Sequence, residues 1–200
     1  MGDTLGRLIP FRRPTASPAE LSDEAVLAAC GLGDQAALGI LFDRFAQDVV
    51  RFLGRMRGAD QPDLEDLLQS TFIEVGKSAG RFRRGSSVRT WLFAIAANVA
   101  RNHVRGEVRR RDHIESFGEL PNRGPELPSE IAERRQLLSR VQDALAALDE
   151  PLRMVLVMCD LEEIACVEVA RVLGVREGTI WRRLHDARQA VRAAIEGEVP

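Results

Sequence analysis

Apolar residues recur every three or four positions along most of this 200-residue chain, and that period constrains its fold more than any other feature. The longest run lies on one predicted helical face and comprises Leu38, Leu41, Phe42, Phe45, Val49, Leu53 and Met56. Such spacing is typical of an amphipathic α-helix, whereas a half-buried strand alternates apolar and polar residues. No segment of the sequence alternates in that way. The sequence therefore predicts an all-α protein, with Ser22 and Asp34 as caps of the first two helices.

The composition changes between residues 112 and 130, which contain three prolines, two glycines, five acids and no usable period. A segment of this kind cannot bury enough apolar surface to form a core. We expect a flexible, acidic linker here, between an N-terminal helical domain at 22–111 and a C-terminal one at 131–200. Residues 1–21 carry three prolines and no period, so they are expected to form a flexible tail.

Several classes of protein are disfavoured by composition. No apolar run approaches the roughly 20 residues of a membrane span, and the first residues lack the apolar core of a signal peptide, so we expect a cytoplasmic protein without membrane insertion. Three cysteines without CxxC spacing, and three histidines that do not cluster with them, favour buried thiols over a metal site. We find no catalytic constellation and no phosphate-cradling glycine loop, so neither enzymatic activity nor a cofactor is expected.

The stretch Arg81–Arg111 holds nine arginines and one acid, in a chain whose net charge is −2. A local excess of positive charge of this size indicates a polyanionic partner. Its apolar face comprises Val88, Trp91, Leu92, Ile95 and Val99, while Ala94, Asn98, Arg101 and Arg105 form a separate stripe. The alternative is an ordinary surface helix whose arginines are solvated. The one-sided charge favours binding of nucleic acid over this alternative.

The helix predicted from Asp63 has one apolar face and one polar face. The polar face carries Glu65, Asp66, Gln69 and Ser70, with Ile73 in its middle. A solvated acidic face would explain the charges alone. An exposed isoleucine among them favours a protein partner, because interface centres are depleted of charge.

Near the C-terminus, Ala170, Gly174 and Ile180 occupy the fifth, ninth and fifteenth positions of a helix-turn-helix. The small residue lets two helices approach, glycine adopts the positive φ of the turn, and the isoleucine is buried between the helices. The second helix would expose a polar and aromatic set: Glu177, Thr179, Trp181, Arg182, His185 and Arg188. This arrangement predicts binding in the major groove of DNA.

Three motifs together resemble a bacterial sigma factor of the extracytoplasmic-function (ECF) group. The segment DLEDLLQSTFIEV is similar to its core-polymerase-binding helix, RGSSVRTWLFAIAANVARNHVR to its promoter-melting segment, and LDEPLRMVLVMCDLEEIACVEVARVLGVREGTIWRRLHDAR to its C-terminal helix-turn-helix. The resemblance implies binding of core RNA polymerase, melting of the −10 element, reading of the −35 element and an anti-sigma partner, with the linker near the path of nascent RNA.

Carried over residue by residue, the resemblance assigns three sites. Core polymerase would contact Glu65, Asp66, Gln69, Ser70 and Ile73. The −10 element would contact Arg84, Ser86, Ser87, Asn98, Arg101 and Arg105. The −35 element would contact Arg176, Thr179, Trp181, Arg182, His185 and Arg188.

Five residues depart from the family pattern: Gly76, Ala97, Trp181, Arg182 and Asp186. Gly76 stands where the family usually has a bulky residue, and Ala97 replaces a frequent arginine. The other three lie in the recognition helix and alter the expected −35 preference. Two alternatives remain open at this point: a helix-turn-helix regulator that does not itself confer initiation, and a protein-binding module that sequesters polymerase.

Overall fold

The computed structural model describes residues 21–57, 63–111 and 139–197, and for 104–111 it describes the backbone only. Within these ranges the chain is helical, and its extended pairing is limited to an isolated bridge between Arg84 and Ser86. The prediction of an all-α fold is therefore confirmed. The predicted linker at 112–130 and the tail at 1–20 lie outside the described residues.

Four helices form the N-terminal half: α1 (Asp23–Gly31), α2 (Gln35–Arg57), α3 (Leu64–Ser78) and α4 (Val88–Arg111). Both predicted caps are present. The Ser22 hydroxyl accepts a hydrogen bond from the Ala25 amide at 3.2 Å, and the Asp34 carboxylate accepts one from the Ala36 amide at 2.9 Å. These bonds satisfy amides that have no partner within the first helical turn.

The N-terminal core is built around α2, which packs against α1, α3 and α4. Phe52 of α2 and Phe93 of α4 are fully buried and stack with ring centroids 4.5 Å apart. Between α3 and α4 the chain makes a 3₁₀ turn, Ala79–Arg81, against the end of α1. A Cβ at Gly31 would lie 2.9 Å from the Gly80 amide nitrogen, so this crossing requires glycine.

The C-terminal half contains α5 (139–147), α6 (Glu150–Leu156), α7 (Cys166–Leu173) and α8 (Glu177–Glu196). Helix α6 continues as a π-helical turn, Val157–Leu161, which sequence analysis did not predict. Helices α7 and α8 form the predicted helix-turn-helix. Gly174 has φ 67° in the turn, and Ala170 and Ile180 are buried. The predicted roles of these three residues are confirmed.

The two halves are packed against each other, a contact that sequence analysis did not predict. Helix α7 lies against α4, and the π-helical turn lies against α2. Their buried side chains form one continuous cluster. Helix α4 is consequently buried around most of its circumference from Leu92 to Ala97, and not only on the single apolar face that its spacing predicted.

Candidate nucleic-acid and polymerase interfaces

The outer face of α3 presents every residue that the sequence assigned to polymerase binding. Glu65, Asp66, Gln69 and Ser70 are exposed, and Ile73 is 56% exposed between them. The opposite face of the same helix supplies four buried core residues: Leu67, Thr71, Phe72 and Val75. This outer face is therefore an acidic surface with an apolar centre on a helix that the core holds in place.

Gly76, which departs from the family pattern, lies on the α2 side of α3. A Cβ at this position would be 3.3 Å from the Cδ2 atom of Leu38 in α2, which is tighter than an ordinary van der Waals contact. A bulky side chain here would have to displace Leu38. The glycine is thus explained by close packing of the two helices.

The loop before α4 contains the first predicted −10 contacts, and one of them has a structural role. The Ser87 hydroxyl accepts a hydrogen bond from the Thr90 amide at 3.0 Å and lies 2.8 Å from the Thr90 hydroxyl. Ser87 therefore caps α4. This role was not predicted, although a serine directly before a helical pattern is a known signal of a helix cap. Arg84 is exposed and Ser86 is half-buried.

The stripe on α4 is described at Asn98 and Arg101. Asn98 is exposed immediately beyond the buried Ala97, which leaves no room for the arginine that is frequent in the family. Arg101 is half-buried, with its Nε 3.6 Å from a carboxylate oxygen of Glu150 in α6. Arg105 belongs to α4, but its side chain lies outside the described part of the chain.

A carboxylate of the C-terminal half bonds to the predicted −10 loop. The Ser87 amide donates a hydrogen bond to Glu168 of α7 at 2.7 Å. Burial raises the pKa of Glu168, but hydrogen bonds from Thr90 and Ser87 and the charge of Arg171 outweigh burial and hold the pKa below its ordinary value. Arg171 also lies over Gly85, where a Cβ would be 3.1 Å from its Cδ atom.

A second acid, Glu162, is buried between two arginines of the N-terminal half. Its side chain is 3% exposed, and its two carboxylate oxygens lie 2.5 Å from Arg55 and 2.5 Å from Arg89. Arg89 also bonds to Asp48 at 3.1 Å and lies over the Phe93 ring, 4.5 Å from its centroid. The role of Glu162 was not predicted from the sequence, because no local pattern links residues so far apart in the chain.

The recognition helix α8 presents most of the predicted −35 residues to solvent. Trp181 is 54% exposed, and Arg176, Arg182 and His185 are exposed, while Thr179 is half-buried. The Trp181 indole donates a hydrogen bond to the Glu177 carboxylate at 3.1 Å. That bond orients the indole along the helix surface.

Arg188, also predicted to contact the −35 element, is paired within the protein. Its guanidinium donates two hydrogen bonds to Asp160 of the π-helical turn, at 2.8 and 2.6 Å. Bidentate pairing of this kind fixes the direction of the guanidinium. The pair ties α8 to the turn that precedes α7.

Two cysteines lie close to the same turn. The Sγ atoms of Cys159 and Cys166 are 3.7 Å apart. Burial, followed by the hydrogen bond between this thiol and Cys166, raises the pKa of the Cys159 thiol to about 12. Among the described residues, no three His, Cys, Asp or Glu side chains are grouped as a metal site.

Comparison with known proteins finds sigma-70 sequences in both halves. Residues 41–110 match the model of Sigma-70 region 2, and residues 138–191 match that of Sigma-70, region 4. The ECF RNA polymerase sigma factor SigE of Mycolicibacterium smegmatis is 34% identical over 180 residues, which cover 86% of this chain and 69% of that protein. The ECF RNA polymerase sigma-E factor of Escherichia coli K12 is 28% identical over 183 residues, which cover 86% of this chain and 93% of that protein.

Solved structures agree with the sequence comparison. CnrH, in complex with the cytosolic domain of CnrY, superposes with a TM-score of 0.62 at 25% identity, covering 88% of this chain and 99% of that one. The sigma factor RpoE of Bartonella quintana, in complex with the anti-sigma factor NepR, superposes with a TM-score of 0.58 at 21% identity, covering 79% of this chain and 96% of that one. The second likeness shows the fold alone.

Regions 2 and 4, in this order and on this fold, define a sigma-70 protein. The chain belongs to the ECF group of RNA polymerase sigma factors, as its motifs predicted. It directs promoter-specific initiation of transcription by RNA polymerase. In the ranges that the structure describes, no helix has the length and apolarity to cross a bilayer.

Proposed function

We propose that three surfaces divide the work of initiation: the outer face of α3 binds core polymerase, the Asn98 side of α4 binds the melted −10 strand, and α8 reads the −35 duplex. The observation that carries this division is the position of Asn98. It is an exposed amide that directly follows six buried residues, Leu92 to Ala97. The core that holds α4 therefore fixes one polar group at its surface.

On α3, the apolar centre and acidic rim suit a protein partner with basic residues. Ile73 would be desolvated at the centre of the contact, and Glu65 and Asp66 would remain toward its edge. Gln69 and Ser70 supply neutral hydrogen-bonding groups beside Ile73. Charges at such a rim orient the partner more than they add affinity.

On α4, Asn98 would read one unstacked base, because its amide offers both a donor and an acceptor to a Watson–Crick edge. Arg101 and Arg105 follow at steps of three and four residues, one and two turns along the helix. We assign them to phosphates of the same strand. Arg84 and Ser86 extend this surface at the start of the helix, whereas Ser87 contributes through its cap.

On α8, we assign base contacts to Arg182, His185 and Trp181, which are exposed on one side of the helix. Arg182 can bind a guanine through two parallel hydrogen bonds. Arg176 and Thr179 lie at the start of the helix, where free backbone amides can also bind a phosphate. Arg188 positions α8 through Asp160 and reaches DNA only if that pair opens.

We further propose domain boundaries at 22–111 and 131–200, a cytoplasmic location, and action as an initiation factor without a catalytic step of its own. An anti-sigma protein is proposed as another partner. It is supported by the likeness to CnrH, whose structure contains the cytosolic domain of a second protein.

Run-off transcription with purified core polymerase tests the proposed function. Templates come from start sites mapped after overexpression of the protein. We expect full-length transcripts only when chain and core polymerase are both present. DNA binding without initiation would support the helix-turn-helix regulator instead. Inhibition of a second sigma factor without initiation would support the sequestering module.

A further inference from the structure

Two of the three cysteines of this chain form a pair of thiols in the C-terminal half. Cys159 lies in the π-helical turn, and Cys166 is the first residue of α7. Their Sγ atoms are 3.7 Å apart, so the two thiols are in contact. The third cysteine, Cys30, is buried in α1 of the other half. None of the three surfaces proposed above uses this pair.

The backbone between the two cysteines holds the thiols close together. The Glu162 amide donates a hydrogen bond to the Val157 carbonyl at 2.9 Å, and the Ile164 amide donates one to the Met158 carbonyl at 3.0 Å. Between these bonds, Glu163 has φ 55°, a conformation that residues other than glycine rarely adopt. Such a backbone persists only where the surrounding structure fixes it. The close approach of the thiols is therefore a property of the folded turn.

Small molecules can reach the pair from one side. Both cysteines line an open groove of about 610 Å³, together with Trp181, Leu184 and Arg188 of α8. Cys159 is half-buried and Cys166 is buried. An oxidant as small as hydrogen peroxide can therefore approach the sulfur atoms through the groove.

We propose that Cys159 and Cys166 are a reversible oxidation site, at which a hydroperoxide forms an intramolecular disulfide that lowers the specificity of α8 for the −35 element. To form this bond the Sγ atoms must approach from 3.7 Å to about 2.05 Å, which rotation of the cysteine side chains can supply. Disulfides of cytosolic proteins are typically transient and serve in sensing or catalysis. The effect on DNA rests on the assignment of α8 to the −35 element made above.

The reaction consumes one hydroperoxide for each pair of thiols. One thiolate attacks an oxygen of hydrogen peroxide, the O–O bond breaks, and a sulfenic acid forms while the departing hydroxide takes up the thiol proton as water. The second sulfur then attacks the sulfenic sulfur, so that an S–S bond forms, the S–O bond breaks and another water leaves. The thiols are oxidised and the peroxide is reduced to water. Because the pKa of the Cys159 thiol is raised to about 12, we assign the first attack to Cys166.

Oxidation reaches α8 through the residue that follows Cys159. Asp160 accepts two hydrogen bonds from Arg188, at 2.8 and 2.6 Å, and so ties α8 to the π-helical turn. Asp160 and Cys159 belong to that same short turn, so a movement of Cys159 toward Cys166 displaces the Asp160 carboxylate. Reading of bases needs α8 in one fixed position, whereas a freed Arg188 adds only a sequence-independent contact with phosphate. The preference for −35 DNA over other DNA should therefore fall about tenfold.

Formation of the disulfide is tested without DNA. The full chain is treated with hydrogen peroxide, unfolded in urea, alkylated with iodoacetamide and digested with trypsin. Both cysteines lie in one tryptic peptide, 154–171, which should carry no alkyl group and be lighter than the reduced, unalkylated peptide by two hydrogens. Dithiothreitol should restore alkylation of both. Cys30→Ala is the matched control, because it removes a buried thiol and keeps the pair.

Binding of −35 DNA tests the consequence of oxidation. Catalase removes the peroxide before core polymerase is added. The holoenzyme is then titrated with a labelled duplex that carries a mapped −35 element and ends before the −10 element, and with a scrambled duplex. The ratio of the two affinities should fall about tenfold after oxidation and recover when the chain is first reduced with dithiothreitol.

Variants of the pair separate this effect from other oxidation. Cys166→Ala should keep the affinity ratio of the reduced protein with or without peroxide, which excludes oxidation of methionine as the cause. If Cys166→Ala fails to fold, Cys159→Ala decides, because Cys159 is only half-buried.

Two results would overturn the proposal. Peroxide treatment that leaves both thiols open to alkylation in the unfolded chain would mean that the pair is not an oxidation site. An unchanged affinity ratio in a chain whose disulfide is complete would mean that the bond does not act on α8. A reduced chain that fails to distinguish −35 DNA from scrambled DNA would instead contradict the assignment of α8, and the peptide measurement would still decide whether the disulfide forms.

Discussion

Ser87, which is predicted to contact the −10 element, also has a structural role at the start of α4. Because the hydroxyl accepts the Thr90 amide, Ser87→Ala should remove the cap of α4. We expect the free energy of unfolding to fall by about 1 kcal/mol. Ser86→Ala, the adjacent control, should change it by less than about 0.5 kcal/mol. Urea denaturation checks both. Equal stabilities of the two variants would exclude the capping role.

The Cys159 thiol should react slowly with alkylating reagents in the folded protein. Burial, with the hydrogen bond between the two thiols of Cys159 and Cys166, raises its pKa from 9.0 to about 12, which lowers the thiolate fraction near neutral pH about a thousandfold. Alkylation by iodoacetamide, located by mass spectrometry, should be slow at pH 8. The urea-unfolded chain should react quickly at the same residue. Equal rates in folded and unfolded protein would contradict the burial of this thiol.

The same pKa fixes how Cys159 couples to stability. Below pH 9 the thiol is neutral in both the folded and the unfolded chain, so its contribution is fully present. As the pH rises from 9 toward 12, the unfolded chain ionises first and that contribution is lost.

At the scale of elements, α3 carries a prediction about polymerase. Asp66→Arg combined with Gln69→Ala should weaken assembly with core polymerase, because it reverses a charge and truncates an amide beside Ile73 on the proposed contact face. Helicity and Tm should hardly change, since both residues are exposed. Asp43→Arg combined with Gln47→Ala is the control, because it makes the same two changes at exposed residues of α2. A pull-down with unaltered affinity of the double variant would remove α3 from the polymerase interface.

Helix α8 carries a prediction about sequence reading. Arg182→Lys keeps the positive charge but loses the planar guanidinium that can donate two parallel hydrogen bonds. It should therefore reduce discrimination at one −35 base with little change in overall affinity for DNA. Arg182→Ala should cost about 1–3 kcal/mol at that base. Competition binding across a set of single-base −35 variants measures both. Uniform weakening at every base would mean that Arg182 contacts phosphate only.

The features that were predicted correctly from the sequence are those determined by interactions between residues close together in the chain. Ser22 and Asp34 cap their helices, and Gly174 adopts φ 67° in the turn, because each effect involves residues only a few positions apart. The π-helical turn Val157–Leu161 was missed, since it has the same apolar spacing as the helix that it continues. Periodicity also predicted the exposed face of α3 and most of the exposed face of α8, where Thr179 is half-buried instead.

At the scale of the whole molecule, the contact between the halves could not be predicted. Glu162 meets Arg55 and Arg89 across long separations in the chain, and a charge pattern does not specify such pairing. Ala97, at a position where the family frequently has arginine, is fully buried. The mobile linker at 112–130 stays a prediction, because it falls outside the described residues.

The central claim is that α4 captures the melted strand, and open-complex formation on a duplex promoter tests it most directly. Arg101→Ala is compared with Glu150→Gln, which breaks the same ion pair but keeps the arginine. With core polymerase, Arg101→Ala should form fewer open complexes. The slope of the logarithm of the binding constant against the logarithm of the salt concentration should fall in magnitude by about one unit. A premelted template should restore initiation by this variant only in part. Glu150→Gln should initiate at least as well as the unaltered protein. Normal initiation by Arg101→Ala on duplex promoters at moderate salt would contradict the claim.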